Sequence, residues 1–310
     1  MLASTLVNKL GIEVQPVFFS TPFFPPDKAK ESAIHIDLPL KIVDITERHF
    51  SLLKEPKHGF GGNMNPCIDC HALMIKIAGE MLTGENADFI ISGEVLGQRP
   101  MSQNKQSLSL IISESGLDGL LLRPLSAKRL PVTIPEKKGW VKRELLKGFQ
   151  GRSRKPQMEL AQALNIKGYP APAGGCLLTE KVFSRRLRDL FSSRSDPDLR
   201  EIELLKVGRH FRIFPHTKLV VGRNKSENEE IHALTVKKDL VLTSASVPGP
   251  TVLFSGNFSD SALELAAAIT VAYSDAEDNE TIPVRVVGGS EDRMLMTEVH
   301  EKGEFKRYMI

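Results

Sequence analysis

Short, β-branched apolar runs alternate with amphipathic stretches through the first half of this chain. The runs at 14–19, 40–45, 88–92 and 119–123 predict buried strands, and the stretches at 47–54, 71–83 and 105–115 predict helices. In the middle helix, Leu73, Met74, Ile77, Ala78, Met81 and Leu82 recur at helical spacing and form one apolar face. Alternation of this kind predicts an α/β fold, a doubly wound parallel sheet with helices on both faces. Ligands of such sheets bind at the carboxyl ends of strands, here at Ser20-Thr21-Pro22, Gly93-Glu94 and Arg123-Pro124-Leu125. Gly93, Glu94 and the nearby Arg99 are therefore candidates for a nucleotide pocket. Residues 2–10 predict a helix and 12–19 a strand, yet no strand comes before that helix. The expectation is a sheet that lacks its first strand and first loop.

Residues 153–164 predict another helix and 180–191 a very basic one; Asp196-Pro197-Asp198 is a turn signal and the expected domain boundary. Beyond it the pattern changes to short strands at 211–214, 218–221, 240–242, 251–254 and 283–287, with one strong helix at 262–273. The expected organisation is an α/β domain over 1–195 and a small α+β domain over 200–310.

Composition fits this division. A chain of 310 residues, 41% hydrophobic and 25% charged, is that of a globular protein with two ordinary domains. No apolar run approaches the ~18 residues of a membrane span, and the first residues lack the pattern of a signal peptide. Three cysteines do not make a disulfide framework. A reducing cytoplasm and no membrane partner are expected. Charge is unevenly spread: residues 1–146 carry 17 Lys+Arg against 16 Asp+Glu, residues 147–215 carry 14 against 7, and residues 216–310 carry 10 against 15. The basic middle segment surrounds the third cysteine and could hold a polyanion; a solvated surface is the plainer alternative.

Each cysteine stands beside a turn signal rather than in an apolar run. Cys67 and Cys70 form a C-x-x-C in Asn65-Pro66-Cys67-Ile68-Asp69-Cys70-His71, and Cys176 closes Ala173-Gly174-Gly175-Cys176. Pro66 would start a turn that lets both thiolates converge, and a helix beginning at His71 would offer them its positive end. Glycines let the distant Cys176 backbone approach closely. Structural zinc wants four ligands and would need a histidine such as His71, which also reads as a simple helix-start residue. A 4Fe–4S cluster on Cys67, Cys70 and Cys176 would leave one iron free for an exogenous ligand. A redox or persulfide pair, or no special role, also fits this spacing.

Asn65-Pro66-x-x-x-Cys70, the strand ending at Gly93 and the second cysteine in a glycine turn resemble tRNA thiouridine synthetases of the PP-loop ATPase superfamily. The nearest likeness is to 2-thiouridylases and the adenylating domain of 4-thiouridine synthetases. The resemblance covers about residues 1–195 and is most specific at 65–103 and 152–178. It implies that Cys70 and Cys176 form the catalytic pair, that ATP (with Mg) adenylates a uracil oxygen, and that tRNA and a sulfur donor are partners. Cluster-free members carry an acidic residue where Cys67 stands, so Cys67 would supply the third ligand of the cluster-dependent type. The family's pyrophosphate loop, Ser-Gly-Gly-x-Asp-Ser, is absent, and Met1-Leu2-Ala3-Ser4 resembles the segment next after that loop in the family. Activity without that loop would be in doubt, and a degenerate RNA-binding protein is the alternative. Ser255-Gly256-Asn257-Phe258-Ser259-Asp260-Ser261 reads as a decoy, a helix start capped by Asp260 or Ser261.

The stretch Val220-Val221-Gly222-Arg223-Asn224, with Asn228 and Ser246-Val247-Pro248-Gly249-Pro250, is similar to the RNA-binding domain of NFACT proteins over 204–309. Arg223 in its polar turn is a candidate RNA contact. Arg152, Arg154 and Lys155 stand at a predicted helix start, where cations oppose the dipole, and tRNA phosphate would explain them. Arg185, Arg186 and Arg188 read equally well as a solvated face, and Trp140 as a packing anchor.

Overall fold

A computed structural model of the chain describes residues 1–168, 175–278, 280–289 and 291–310. It separates into two units, Met1–Thr179 and Glu180–Ile310.

In the first unit the order is α1 (Leu2–Asn8), β1 (Val17–Ser20), α2 (Asp27–Ile36), β2 (Lys41–Asp44), α3 (Thr46–Lys54), α4 (Cys67–Met81), β3 (Ile90–Ile91), α5 (Lys105–Ser115), β4 (Leu121–Leu122), α6 (Ile134–Lys137) and α7 (Lys155–Ala163). The described strands form two separate parallel pairs: β1 with β2, from Val17↔Lys41 to Ser20↔Asp44, and β3 with β4, at Ile90↔Leu121 and Ile91↔Leu122. Helix α5 begins where Asn104 accepts from the Ser107 N–H and stops at Gly116, whose φ is 70°. Its inward Ile111 meets Ile75 of α4 and Leu121 of β4 in one apolar cluster. Helix α4 begins at Cys67, not at His71 as expected. Proline is favoured around a helix start because it lacks an N–H that would go unpaired there, and Pro66 caps this one. Both thiols of the C-x-x-C therefore ride on the first helical turn rather than on a loop before it.

The second unit runs α8 (Lys181–Ser193), α9 (Leu199–Leu204), β5 (Arg209–Phe214), β6 (Thr217–Val221), α10 (Lys225–Ala233), β7 (Leu240–Ser244), β8 (Val252–Gly256), α11 (Asp260–Ala272), β9 (Thr281–Gly288) and β10 (Glu291–Glu298). Its strands form a six-stranded antiparallel sheet in the order β10-β9-β7-β8-β6-β5. Strand β9 shows why one face is buried: Ile282, Val284 and Val286 alternate inward while Arg285 and Val287 face out. Alanines 262, 266 and 267 let α11 lie close on that inner face, and Leu263, Ile269 and Val271 complete the core. A second cluster, Leu204, Val207, Val220, Ile231 and Leu253, packs α9 and α10 on the other side.

The basic helix α8 falls in the second unit, so the division lies before the Asp196-Pro197-Asp198 turn. The reason is pairing: Arg186 donates to the carbonyls of Leu205 (2.7 Å) and Gly208 (2.8 Å), and Asp189 accepts from Arg212 at 3.0 and 2.7 Å. The stretch 255–261 is a strand end followed by a helix, and the cap is Ser259, which accepts from the Ala262 N–H at 3.2 Å. The expected caps, Asp260 and Ser261, lie within the first turn instead.

Candidate functional site

Two contacts hold the loop of the third cysteine near the first two, and a local turn shapes it. Asn63 donates through its side chain to the Thr179 carbonyl at 2.7 Å, and the Leu177 N–H donates to the Phe23 carbonyl at 3.0 Å. Thr179 closes a short turn by donating to the Cys176 carbonyl through both its N–H (3.0 Å) and its hydroxyl (2.7 Å). Gly175 takes a φ of 70° just ahead of Cys176; Ala173 and Gly174 lie outside the described residues. On the other side Asn65 donates to the Cys67 sulfur at 3.2 Å. The three thiols feel one another electrostatically. Burial pushes the Cys70 thiol well up, and Cys176, Cys67 and Asp69 add to the push. Burial takes Cys176 up to about 11, with Cys67 adding to it and the Leu178 and Thr179 backbone and Arg99 opposing. The Arg99 charge thus reaches Cys176.

His49, which carries no motif in the sequence, lies against this site. It is fully buried on α3, and its Nε2 is 2.9 Å from the Cys70 sulfur. The rings of Phe23 and Phe24 pack on it at centroid distances of 5.6 and 5.3 Å. Burial lowers its pKa to about 4, so it is neutral and able either to donate to the sulfur or to accept from it. The available signal was weak: His49 precedes Leu53 by one turn on the apolar face of a predicted helix.

Among the described residues no three His, Cys, Asp or Glu side chains form a group that could hold a single metal ion. The site gathers three thiols, with the His49 imidazole against one of them. The raised thiols also have a simpler consequence. Because Cys176 ionises only near 11, it should alkylate slowly at pH 8, with a rate rising about tenfold per pH unit. Labelling with iodoacetamide, read by mass spectrometry, checks this; labelling as fast as in denaturant would contradict the folded arrangement.

Glu94 has been drawn into the framework. It is buried at the carboxyl end of β3 and accepts from Arg123 Nε at 2.7 Å, from His71 Nδ1 at 2.8 Å and from Ser92 Oγ at 3.0 Å. Burial pushes this carboxyl up, but the His71 hydrogen bond and the Arg123 charge outweigh it and bring the pKa to about 2. Its oxygens therefore serve Arg123 and the helix that carries the cysteines. Gly93, next to it, is exposed and faces open space. Of the basic candidates, Arg154 caps α7 and Lys155 is its first residue, with Arg152 exposed two residues earlier. Arg223 is half-exposed and forks onto Glu227, in the first turn of α10, while Asn224 caps that helix. Part of its charge is thereby answered within the domain.

Residues 208–309, within the second unit, match the family described as the NFACT protein RNA binding domain, which supports RNA binding by that unit. No curated protein matches the chain. Among solved structures, the C-terminal part of the fibronectin/fibrinogen-binding protein from Streptococcus suis aligns at 14% identity and a TM-score of 0.31, over 85% of this chain and 98% of that one. No described helix is long and apolar enough to cross a membrane.

Proposed function

We propose that the chain binds tRNA and replaces a uracil oxygen by sulfur. The observation that carries this reading is the gathering of Cys67, Cys70 and Cys176 in one unit of a chain whose other unit matches an RNA-binding domain. The first unit is read as a doubly wound nucleotide-binding fold, with Gly93 and Arg99 bordering ATP and Glu94 anchoring the pocket wall. Arg152, Arg154 and Lys155 face the tRNA backbone.

ATP, with Mg, transfers AMP to the uracil oxygen and releases pyrophosphate. A persulfide on Cys176, formed from a sulfur donor, attacks the activated ring carbon through its terminal sulfur, and AMP leaves. The Cys70 thiol passes its proton to the neutral His49 Nε2, 2.9 Å away, as it attacks the Cys176 sulfur. The uracil keeps the terminal sulfur, and a Cys70–Cys176 disulfide remains for a dithiol reductant to reopen. Here Arg99 steadies anionic sulfur and His49 fixes the Cys70 side chain. A 4Fe–4S cluster on Cys67, Cys70 and Cys176 would instead supply an iron that carries the incoming sulfur.

The test is genetic and chemical. Digested tRNA from cells lacking the gene should lose a thiolated uridine that the parent contains. The wild-type gene should restore it, and Cys70→Ala or Cys176→Ala should not. An unchanged set of thiolated nucleosides would end the thiolation reading and leave a non-catalytic RNA-binding protein, the reading that the match at 208–309 favours by itself.

A further inference from the structure

Helix α8 is divided lengthwise. Phe183, Leu187 and Leu190 fall on one buried face. Lys181, Arg185 and Arg188, at i, i+4 and i+7, fall on the opposite, exposed face. The rotation of the helix is fixed from within. Arg186 points inward to two backbone carbonyls, and Asp189, the helix's own acid, is taken by Arg212 and lies 3.7 Å from Lys218. No acid is left on the outer stripe, and its three cations have no ion pair among the described residues, whereas Arg194 beyond the helix is paired with Glu201.

This arrangement works against the helix. Like charges one turn apart repel by a few tenths of a kcal/mol per pair, and Lys181 sits in the first turn, where a cation opposes the dipole. A stripe that is costly alone and uniformly cationic suits a regular row of phosphates. Charge along the unit has the same polarity: residues 180–225 carry 12 Lys+Arg against 6 Asp+Glu, and residues 226–310 carry 7 against 15. Arg186 feels both Arg185 on its own helix and Arg223 in the turn before α10, so the matched domain's candidate contact adjoins α8.

We infer that the outer stripe of α8, Lys181, Arg185 and Arg188, is a phosphate-binding face that extends the RNA-binding surface beyond residues 208–309. The inference rests on the RNA-binding reading of the second unit and adds a helix that the matched residues do not include. Glutamine keeps good helix propensity, so the triple change Lys181→Gln, Arg185→Gln, Arg188→Gln in the full chain removes charge while sparing the fold. Filter binding of an unmodified tRNA transcript at several salt concentrations is the measurement. The triple variant should bind about tenfold more weakly near 0.1 M salt and lose roughly two to three units of salt slope. Arg185→Lys with Arg188→Lys should keep most of the slope, because a phosphate contact needs the charge rather than the guanidinium shape. A triple variant that keeps affinity and slope overturns the inference and makes α8 a solvated face. A parent chain that binds no tRNA removes the RNA-binding reading and the inference with it, a result distinguishable because the parent itself fails.

Discussion

Replacing Arg123 by methionine should cost the first unit about 3 to 5 kcal/mol, the range for breaking a buried ion pair. The arginine side chain is only 3% exposed and its Nε donates to Glu94 at 2.7 Å. Its removal leaves the buried carboxylate with only His71 and Ser92 to answer it, and that undercompensated charge, more than the lost hydrogen bond, sets the magnitude. Trp140 is the chain's single tryptophan and stacks on Phe89 at 6.2 Å within the first unit, so its fluorescence reports that unit alone. The denaturation midpoint read from Trp140 should fall sharply in Arg123→Met and recover much of the difference in the double variant Arg123→Met/Glu94→Gln. A single variant as stable as the parent would show that Glu94 does not depend on Arg123.

The same carboxylate fixes a pH dependence. Glu94 has a folded pKa of about 2 against an ordinary value of 4.5. A depressed carboxylate stabilises the fold fully above its unfolded pKa and stops doing so as pH falls toward its folded one. The parent should therefore lose on the order of 3 kcal/mol between about pH 4.5 and 2. In Arg123→Met that window moves upward, because burial now dominates.

Gly256→Ala should be comparably damaging, by about 3 kcal/mol or more, and in the other unit. Gly256 ends β8 with a φ of 119°, in a region that side chains rarely enter. An added methyl would also fall well inside contact with the His216 carbonyl oxygen, which is backbone and cannot swing away. Pairing of β8 with β6 runs to this residue, at Thr217↔Gly256, so any relief must come from the sheet. Loss of far-UV circular dichroism should shift to lower denaturant while the Trp140 transition stays in place. Coincident, unshifted transitions would refute the assignment of strain to this position.

The features legible in the sequence are those set by local physics. Helix α5 was legible to the residue because a cap and a stop, Asn104 and Gly116, bracket it. The strands with apolar runs were placed within two residues except β1, which starts at Val17 rather than at 14, and their lengths differ from those the runs suggest. Strand β10 was not legible, since Met294 and Met296 on its exposed face break the alternation that marks a half-buried strand. The role of Glu94 was hidden for another reason. Its position after a strand points to a ligand, but its partners lie 23 and 29 residues away and only folding shows that they are spent on it. The C-x-x-C was noticeable by its spacing and Cys176 by its glycine turn, whereas His49 was missed because a lone histidine in an apolar stripe has no spacing to notice.

The strand order of the second unit constrains how the chain can emerge from a ribosome. Strand β7 lies between β8 and β9, and α11 separates those two neighbours in sequence. A nascent chain that has reached α11 holds β7 with one side unsatisfied, and it stays so until Thr281–Gly288 is synthesised. An inner strand with a bare edge is a template for any other extended chain. Until that late partner arrives, the free edge of β7 is where another extended chain could pair.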